Sequence, residues 1–143
     1  MLVIKAEDPS DLKGLLPLQD DIENYISYSR TEWVQWVMKQ VSDKNPNVGI
    51  WVMKENPDDP LKGYVVLING VNPPLQDFVY IIYVWLPQIS ATKALKDGMK
   101  QLEDWARSKG AKSLIFNTQK PEVFKRLFDF NEKETVTIME KKL

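Results

Sequence analysis

The sequence predicts one α/β domain, and three observations support that prediction. The first is an apolar run at residues 78–86 that is rich in β-branched and aromatic side chains, as a strand covered on both faces requires. The second is an amphipathic helix directly after it, predicted over residues 92–109 and ended by Gly110. The third is a length of 143 residues without a repeat or a long linker, which fits a single domain over residues 1–143. The centre of the domain is therefore a buried strand that leads into a packed helix.

The N-terminal part predicts a strand followed by two helices. Residues 2–7 form the strand, and residues 8–11 supply acidic and capping side chains for a helix over residues 12–26, which Pro17 should kink or interrupt. The second helix follows Ser29 and runs to about Ser42. Its apolar positions lie at helical spacing on one stripe: Trp33, Val34, Val37, Met38 and Val41.

The remaining elements complete an alternating order. Residues 48–53 and 61–68 predict two antiparallel strands joined by a long, turn-rich loop, and they precede the central strand and its helix. A strand at 113–117, a short helix at 121–128 and a last strand at 135–141 follow. The predicted order is β, α, α, β, β, β, α, β, α, β.

The composition excludes several kinds of function. The chain has no cysteine and no histidine, so we expect no metal and no catalytic triad, and acid–base chemistry falls to Asp, Glu, Tyr, Lys or water. Nineteen basic and twenty acidic residues give a net charge of −1, which indicates neither nucleic acid nor an anionic membrane as a partner. The first residues do not resemble a signal peptide and the longest apolar run is about half a membrane span, so we expect a cytoplasmic protein.

This element order resembles the GNAT superfamily of N-acetyltransferases. At the level of residues the likeness lies in the second half of the chain, in the segments Tyr83-Val84-Trp85-Leu86-Pro87, Glu103-Asp104-Trp105-Ala106, Leu114 to Asn117 and Met139 to Leu143. The resemblance implies a mixed, mostly antiparallel central sheet of about six to seven strands flanked by about four helices. It also implies acetyl-CoA as the co-substrate and an amine, on a small molecule or a protein, as the acceptor.

In that family, a glycine-containing loop after the central strand holds the coenzyme pyrophosphate at a helix N-terminus, where uncovered amides and the helix dipole favour an anion. The family's loop has the form Gln/Arg-x-x-Gly-x-Gly/Ala. When this motif starts at Gln88, Ala91 and Lys93 stand at its glycine positions. Started at Ser90, it puts Lys93 and Leu95 there, so neither register has a glycine. Ser90, Thr92 and Lys93 could bind phosphate, or Ser90 or Thr92 could simply cap the helix beside a solvated Lys93. The resemblance assigns the coenzyme to the whole stretch: Gln88, Ile89, Ser90, Ala91, Thr92, Lys93 and Ala94.

Further site residues follow from the resemblance. Asn117, at a strand end, corresponds to a family asparagine that helps to fix the coenzyme, and the backbone of Tyr83 and Val84 could polarise the acetyl carbonyl. Phe124 stands where the family has a tyrosine that acts as general acid. A phenyl ring can pack against the coenzyme but donates no proton, so water would have to protonate the leaving thiolate.

The base and the acceptor site are predicted more loosely. Asp77 at the start of the central strand is the carboxylate candidate for the base, and Tyr80 and Tyr83 are expected on one face of that strand, where they could order a water chain. All three also fit ordinary structural roles. The acceptor is expected over the first two helices and is assigned to aromatic residues there: Tyr25, Tyr28 and Trp36.

Two alternatives remain open at this level. The aromatic surface over the first helices could receive a second subunit, giving a homodimer, instead of an acceptor. The whole protein could be an acetyl-CoA-dependent N-acetyltransferase, or a non-catalytic binding or assembly module of the same fold that has lost efficient coenzyme binding.

Overall fold

The computed structural model describes residues 1–15, 29–70, 77–86, 93–116, 121–131 and 139–143. In these ranges the chain forms five strands, three α-helices and a short 3-10 helix at Pro9–Leu12. The strands are β1 (Leu2–Lys5), β2 (Val48–Lys54), β3 (Gly63–Asn69), β4 (Phe78–Trp85) and β5 (Ser113–Phe116). The α-helices are α1 (Arg30–Ser42), α2 (Lys93–Ser108) and α3 (Pro121–Phe128).

The five strands form one mixed sheet in the order β1-β2-β3-β4-β5. Neighbours are antiparallel from β1 to β4, whereas β4 and β5 are parallel, as their connection through α2 requires. The predicted fold class, a mixed and mostly antiparallel sheet flanked by helices, is confirmed, with slightly fewer strands and helices among the described residues than the sequence predicts.

Each face of the sheet has its own hydrophobic core. On the α1 face, Trp33, Val37 and Val41 of the predicted stripe are buried against alternate residues of β2 and β3 such as Ile50 and Val66. On the α2 face, Leu102 and Ala106 of α2 pack on the intervening strand residues, which include Trp51, Leu67, Val79 and Ile81. The central strand is thus covered on both sides, as its uninterrupted apolar sequence predicts.

A β-bulge interrupts the pairing of β3 with β4. Val66 is opposite Tyr83 and Leu67 is opposite Ile81, so Ile82 is an extra residue in β4. An extra residue shifts the alternation of side chains by one position. Ile82 and Tyr83 therefore both lie on the α1 face, and Tyr80 shares that face with them. The expectation that Tyr80 and Tyr83 lie on one face is met because of the bulge.

Two predicted elements differ from the structure over the residues that the structure describes. A helix starting at residue 12 is wrong, because the 3-10 helix ends at Leu12 and Gly14 has a left-handed φ of +88°. The predicted strand at 135–141 is wrong over residues 139–141, which form no strand and are exposed, since three consecutive charged residues from 140 to 142 offer no apolar alternation. The rest of both predictions, at residues 16–26 and 135–138, lies outside the described residues.

Candidate functional site

The candidate site lies at the edge of the sheet where the parallel strands β4 and β5 end. The last described pair of their ladder is Ile81 and Phe116, and β4 continues from there to Trp85. Because α2 follows β4 and α3 follows β5, both helices have their N-terminal ends toward this same edge. Carboxyl ends of strands and N-terminal ends of helices together form a common type of ligand site, since the helix end carries partial positive charge.

A cavity of about 60 Å³ lies between this part of β4 and the two helices. Val84 and Leu86 line it from β4 and the residue after it, Leu95 lines it from α2, and Phe124 and Phe128 line it from α3. The structure therefore brings together two residues that the resemblance assigned to the coenzyme, Val84 and Phe124. The sequence analysis did not assign Leu95, Leu86 or Phe128 to the site, although Leu95 belongs to the apolar stripe of α2.

Phe124 is held in an aromatic cluster. It is buried, and its ring centroid lies 4.7 Å from that of Phe116, 6.1 Å from that of Phe128 and 6.0 Å from that of Phe130. Edge-to-face and tilted contacts at these distances are favourable between aromatic rings. This cluster is rigid and apolar, and it presents no proton donor at the position where the resemblance expects a tyrosine hydroxyl.

The first residues of α2 are Lys93 and Ala94. Lys93 is exposed and Ala94 is half-buried. This end of a 16-residue helix is where an anion would be stabilised. The other residues assigned to the coenzyme loop, Gln88, Ile89, Ser90, Ala91 and Thr92, lie outside the described residues, as does Asn117.

On the opposite face of β4, the bulge places Tyr83 in a second aromatic cluster. Its ring centroid is 5.2 Å from that of Tyr64 and 5.6 Å from that of Trp33. Trp36 is half-buried and stacks on Trp33 at 5.3 Å with an interplanar angle of 19°. The sequence analysis missed Tyr64, because its contact with Trp33 joins residues 31 positions apart. The other predicted acceptor residues, Tyr25 and Tyr28, lie outside the described residues.

Asp77 lies at the other end of β4. Its carboxylate is half exposed and forms an ion pair with Lys112, with 3.8 Å between Nζ and Oδ2, and its carbonyl oxygen accepts a hydrogen bond from the Lys112 amide. Asp77 and Val84 are seven positions apart along this extended segment, which corresponds to about 23 Å. The structure therefore does not bring Asp77 together with Val84 and Phe124. Tyr80 is half-buried, between the two ends of the strand.

The described residues contain no group of three acidic side chains that could hold a metal ion. No helix in the same ranges is long and apolar enough to cross a membrane.

Comparison with solved structures identifies the architecture. A structure described as a probable acetyltransferase superposes with a TM-score of 0.68 at 18% identity, covering 100% of this chain and 99% of the other. A predicted acetyltransferase from Clostridium acetobutylicum, solved with acetyl-CoA, gives 0.67 at 16% identity, covering 96% and 94%. The chain has the GNAT acetyltransferase fold.

A third structure with this fold is AAC(6')-Iy in complex with the bisubstrate analogue CoA-S-monomethyl-acetylneamine. It gives a TM-score of 0.67 at 14% identity, with 99% of this chain and 97% of the other covered. No protein-family model matches the chain, and none of the curated proteins matches it. The GNAT fold is therefore evident from structure at sequence identities of 14–18%, so the reaction has to be argued from the site.

Proposed function

We propose that the protein is an acetyl-CoA-dependent N-acetyltransferase that transfers an acetyl group directly to an amine. The observation that supports this most strongly is the junction of β4, α2 and α3. There β4 continues to Trp85 beyond its last described pair with β5, the N-terminal end of α2 lies beside it, and Val84 and Phe124 line one cavity. Two structures with the same fold contain acetyl-CoA or a coenzyme A analogue.

The coenzyme is proposed to lie along this junction. The N-terminal end of α2 and the ammonium of Lys93 bind the pyrophosphate or the 3′-phosphate, together with Ala94, the loop residues 88–92 and Asn117. The pantetheine arm contains two amides, and it pairs with the edge of β4 over residues 82–85, beyond the last described pair of the β4–β5 ladder. Phe124 packs against the arm.

In the proposed reaction, the neutral amine nitrogen bonds to the thioester carbon and the carbon–sulfur bond breaks. The backbone of Tyr83 and Val84, beside the bulge, polarises the thioester carbonyl. Tyr80 and Tyr83 order the water that receives the proton of the amine. The coenzyme A thiolate takes its proton from water, because Phe124 has no proton to give. Asp77 is not included, since it lies at the far end of β4.

The acceptor, an amine on a small molecule or a protein, is proposed to bind on the α1 face, against Trp36 and with Tyr25 and Tyr28. Trp36 is half-buried and its ring is fixed by stacking on Trp33, so it offers a rigid apolar surface. A second subunit of a homodimer is the competing occupant of this surface.

Two observations favour a second function, a non-catalytic binding or assembly module that has lost efficient coenzyme binding. The aromatic cluster at Phe124 provides no general acid, and the sequence of the phosphate loop has no glycine. Both features would slow an acetyltransferase.

Thermal unfolding with added acetyl-CoA separates the two functions. A ligand that binds the folded state stabilises it by about 2.7 kcal/mol at 100 times its dissociation constant, which raises the melting temperature by several degrees. We expect this rise, together with release of free coenzyme A thiol when amines are added. No rise at millimolar acetyl-CoA would contradict the enzyme and favour the binding module.

A further inference from the structure

The cavity beneath β4 extends farther than an acetyl group needs. Beyond Val84 it reaches Val65 of β3 and Met99 of α2, on the α2 face of the sheet. Among the residues that the structure describes, its lining contains no charged residue, and only Trp51 and Tyr64 bring a polar side-chain group. The hydroxyl of Tyr64 is already engaged, because it accepts a hydrogen bond from Trp33.

The size of the cavity exceeds what close packing leaves between side chains. A space of about 10–15 Å³ already admits one water molecule, and this one measures about 60 Å³. Apolar cavities of this kind remain dry and take apolar ligands. The pantetheine arm is a poor occupant, because its amides would be buried here without hydrogen-bond partners. A hydrocarbon chain of a few carbons meets no such penalty.

The position of the cavity relative to the proposed reaction centre indicates which group of the substrate would supply this hydrocarbon chain. Val84 contributes its backbone beside the bulge, where the thioester carbonyl is proposed to bind, and its side chain lines the cavity. A carbon chain attached to that carbonyl would enter the cavity directly. We infer that the site takes acyl-CoA donors whose acyl chain is longer than acetyl, with about two to four additional carbons. This inference rests on the proposed coenzyme site.

A direct test compares the affinities of a donor series for the wild-type protein by calorimetric titration. The series contains free coenzyme A, acetyl-CoA, butyryl-CoA, hexanoyl-CoA and decanoyl-CoA. Each methylene moved from water into the cavity should tighten binding roughly fourfold. We expect butyryl-CoA and hexanoyl-CoA to bind at least tenfold more tightly than acetyl-CoA, and decanoyl-CoA to gain nothing further.

Two substitutions change the size of the cavity in opposite directions. Val65→Leu adds a methylene to the sheet wall of the cavity, beside Val84, and should reduce the preference for longer chains severalfold, with the affinity for free coenzyme A unchanged. Met99→Ala enlarges the cavity and should move the preference to hexanoyl-CoA or longer. Val34→Leu is the matched control, because it makes the same change in the α1-face core, outside the cavity, and should leave the series as in the wild type.

The outcomes distinguish this inference from the proposed function. If coenzyme A and acetyl-CoA bind but the longer donors bind no better, the acyl cavity is contradicted and the proposed function stands. If Val65→Leu weakens free coenzyme A as much as butyryl-CoA, the cavity holds the pantetheine arm and the inference is wrong. If no member of the series binds, both are overturned.

Discussion

The indole Nε1 of Trp33 donates a hydrogen bond to the hydroxyl oxygen of Tyr64 over 2.9 Å, and both residues are buried. An indole nitrogen can only donate, so the tyrosine oxygen is the acceptor and its own hydrogen points elsewhere. The bond fixes α1 on β3. Because Trp36 stacks on Trp33, the same bond also fixes the surface proposed for the acceptor.

Tyr64→Phe removes the acceptor and leaves the indole N–H of Trp33 buried without this partner. We expect the free energy of unfolding to fall by about 1–3 kcal/mol, measured by urea denaturation. Tyr80→Phe removes the same atom from a half-buried residue on the same face of the sheet and should change stability by less than about 0.5 kcal/mol. Equal effects of the two substitutions would show that the Trp33–Tyr64 bond adds little to stability.

Gly98 allows α2 to approach β1 closely. A Cβ built at this position would lie 2.8 Å from Cγ1 and 3.1 Å from Cβ of Val3, whose branched side chain is confined to few rotamers. Alanine normally stabilises a helix interior by about 1 kcal/mol over glycine. Here we expect Gly98→Ala to destabilise by about 1–3 kcal/mol through overpacking.

The double variant tests this explanation. In a Val3→Ala background the contacts with Cγ1 and Cγ2 are removed and only the contact with Cβ at 3.1 Å remains, so Gly98→Ala should destabilise much less than in the wild type or be neutral. The comparison uses the free energies of unfolding of the wild type, both single variants and the double variant. A destabilisation of the same size in the Val3→Ala background would rule out the contact as its cause.

Asp8 caps the 3-10 helix and should make stability depend on pH. The backbone N–H of Ser10 donates to Asp8 Oδ1 over 2.9 Å, and this hydrogen bond holds the pKa of Asp8 below its ordinary value of 3.8. The ionised cap is therefore stabilising above that value, and its contribution is lost as the pH falls through the lower pKa of the folded state. Asp8→Ala should be less stable than the wild type at neutral pH, with the difference shrinking below pH 3.8.

Asp58→Ala is the control for this experiment, because Asp58 lies in an exposed turn outside any helix. It should not reproduce the pH-dependent difference in urea denaturation. A difference between Asp8→Ala and the wild type that stays constant across the pH range would show that the charge of the cap has no role.

Lys93→Ala tests the proposed phosphate contact at the start of α2. We expect the affinity for coenzyme A to fall by about threefold to tenfold, and the loss to diminish at high salt because an exposed charge is screened. Lys100→Ala removes an equally exposed lysine two turns farther along the same helix and should leave affinity unchanged. If both variants bind coenzyme A like the wild type in a calorimetric titration, Lys93 is an ordinary solvated residue.

The fold was predictable because it is determined by local patterns of hydrophobic residues. Three elements form where their apolar patterns predict them, and their apolar faces are buried as expected: α1, β4 and α2. One error arose where a single residue overrides a pattern. Gly14 takes a left-handed conformation, so residues 13–15 do not continue as the helix predicted from Leu12.

The candidate site was predictable only in part, since its residues come from elements far apart in the sequence. The sequence by itself determined that Phe124 cannot donate a proton and that the segment before α2 lacks glycine, because side-chain chemistry needs no coordinates. Tertiary structure decided that Val84 and Phe124 share a cavity, that Asp77 lies at the far end of β4, and that Tyr83 meets Trp33. The physical reason is the pairing of strands: one extra residue at Ile82 sets which side chains face which core, and no local pattern specifies where a bulge will form.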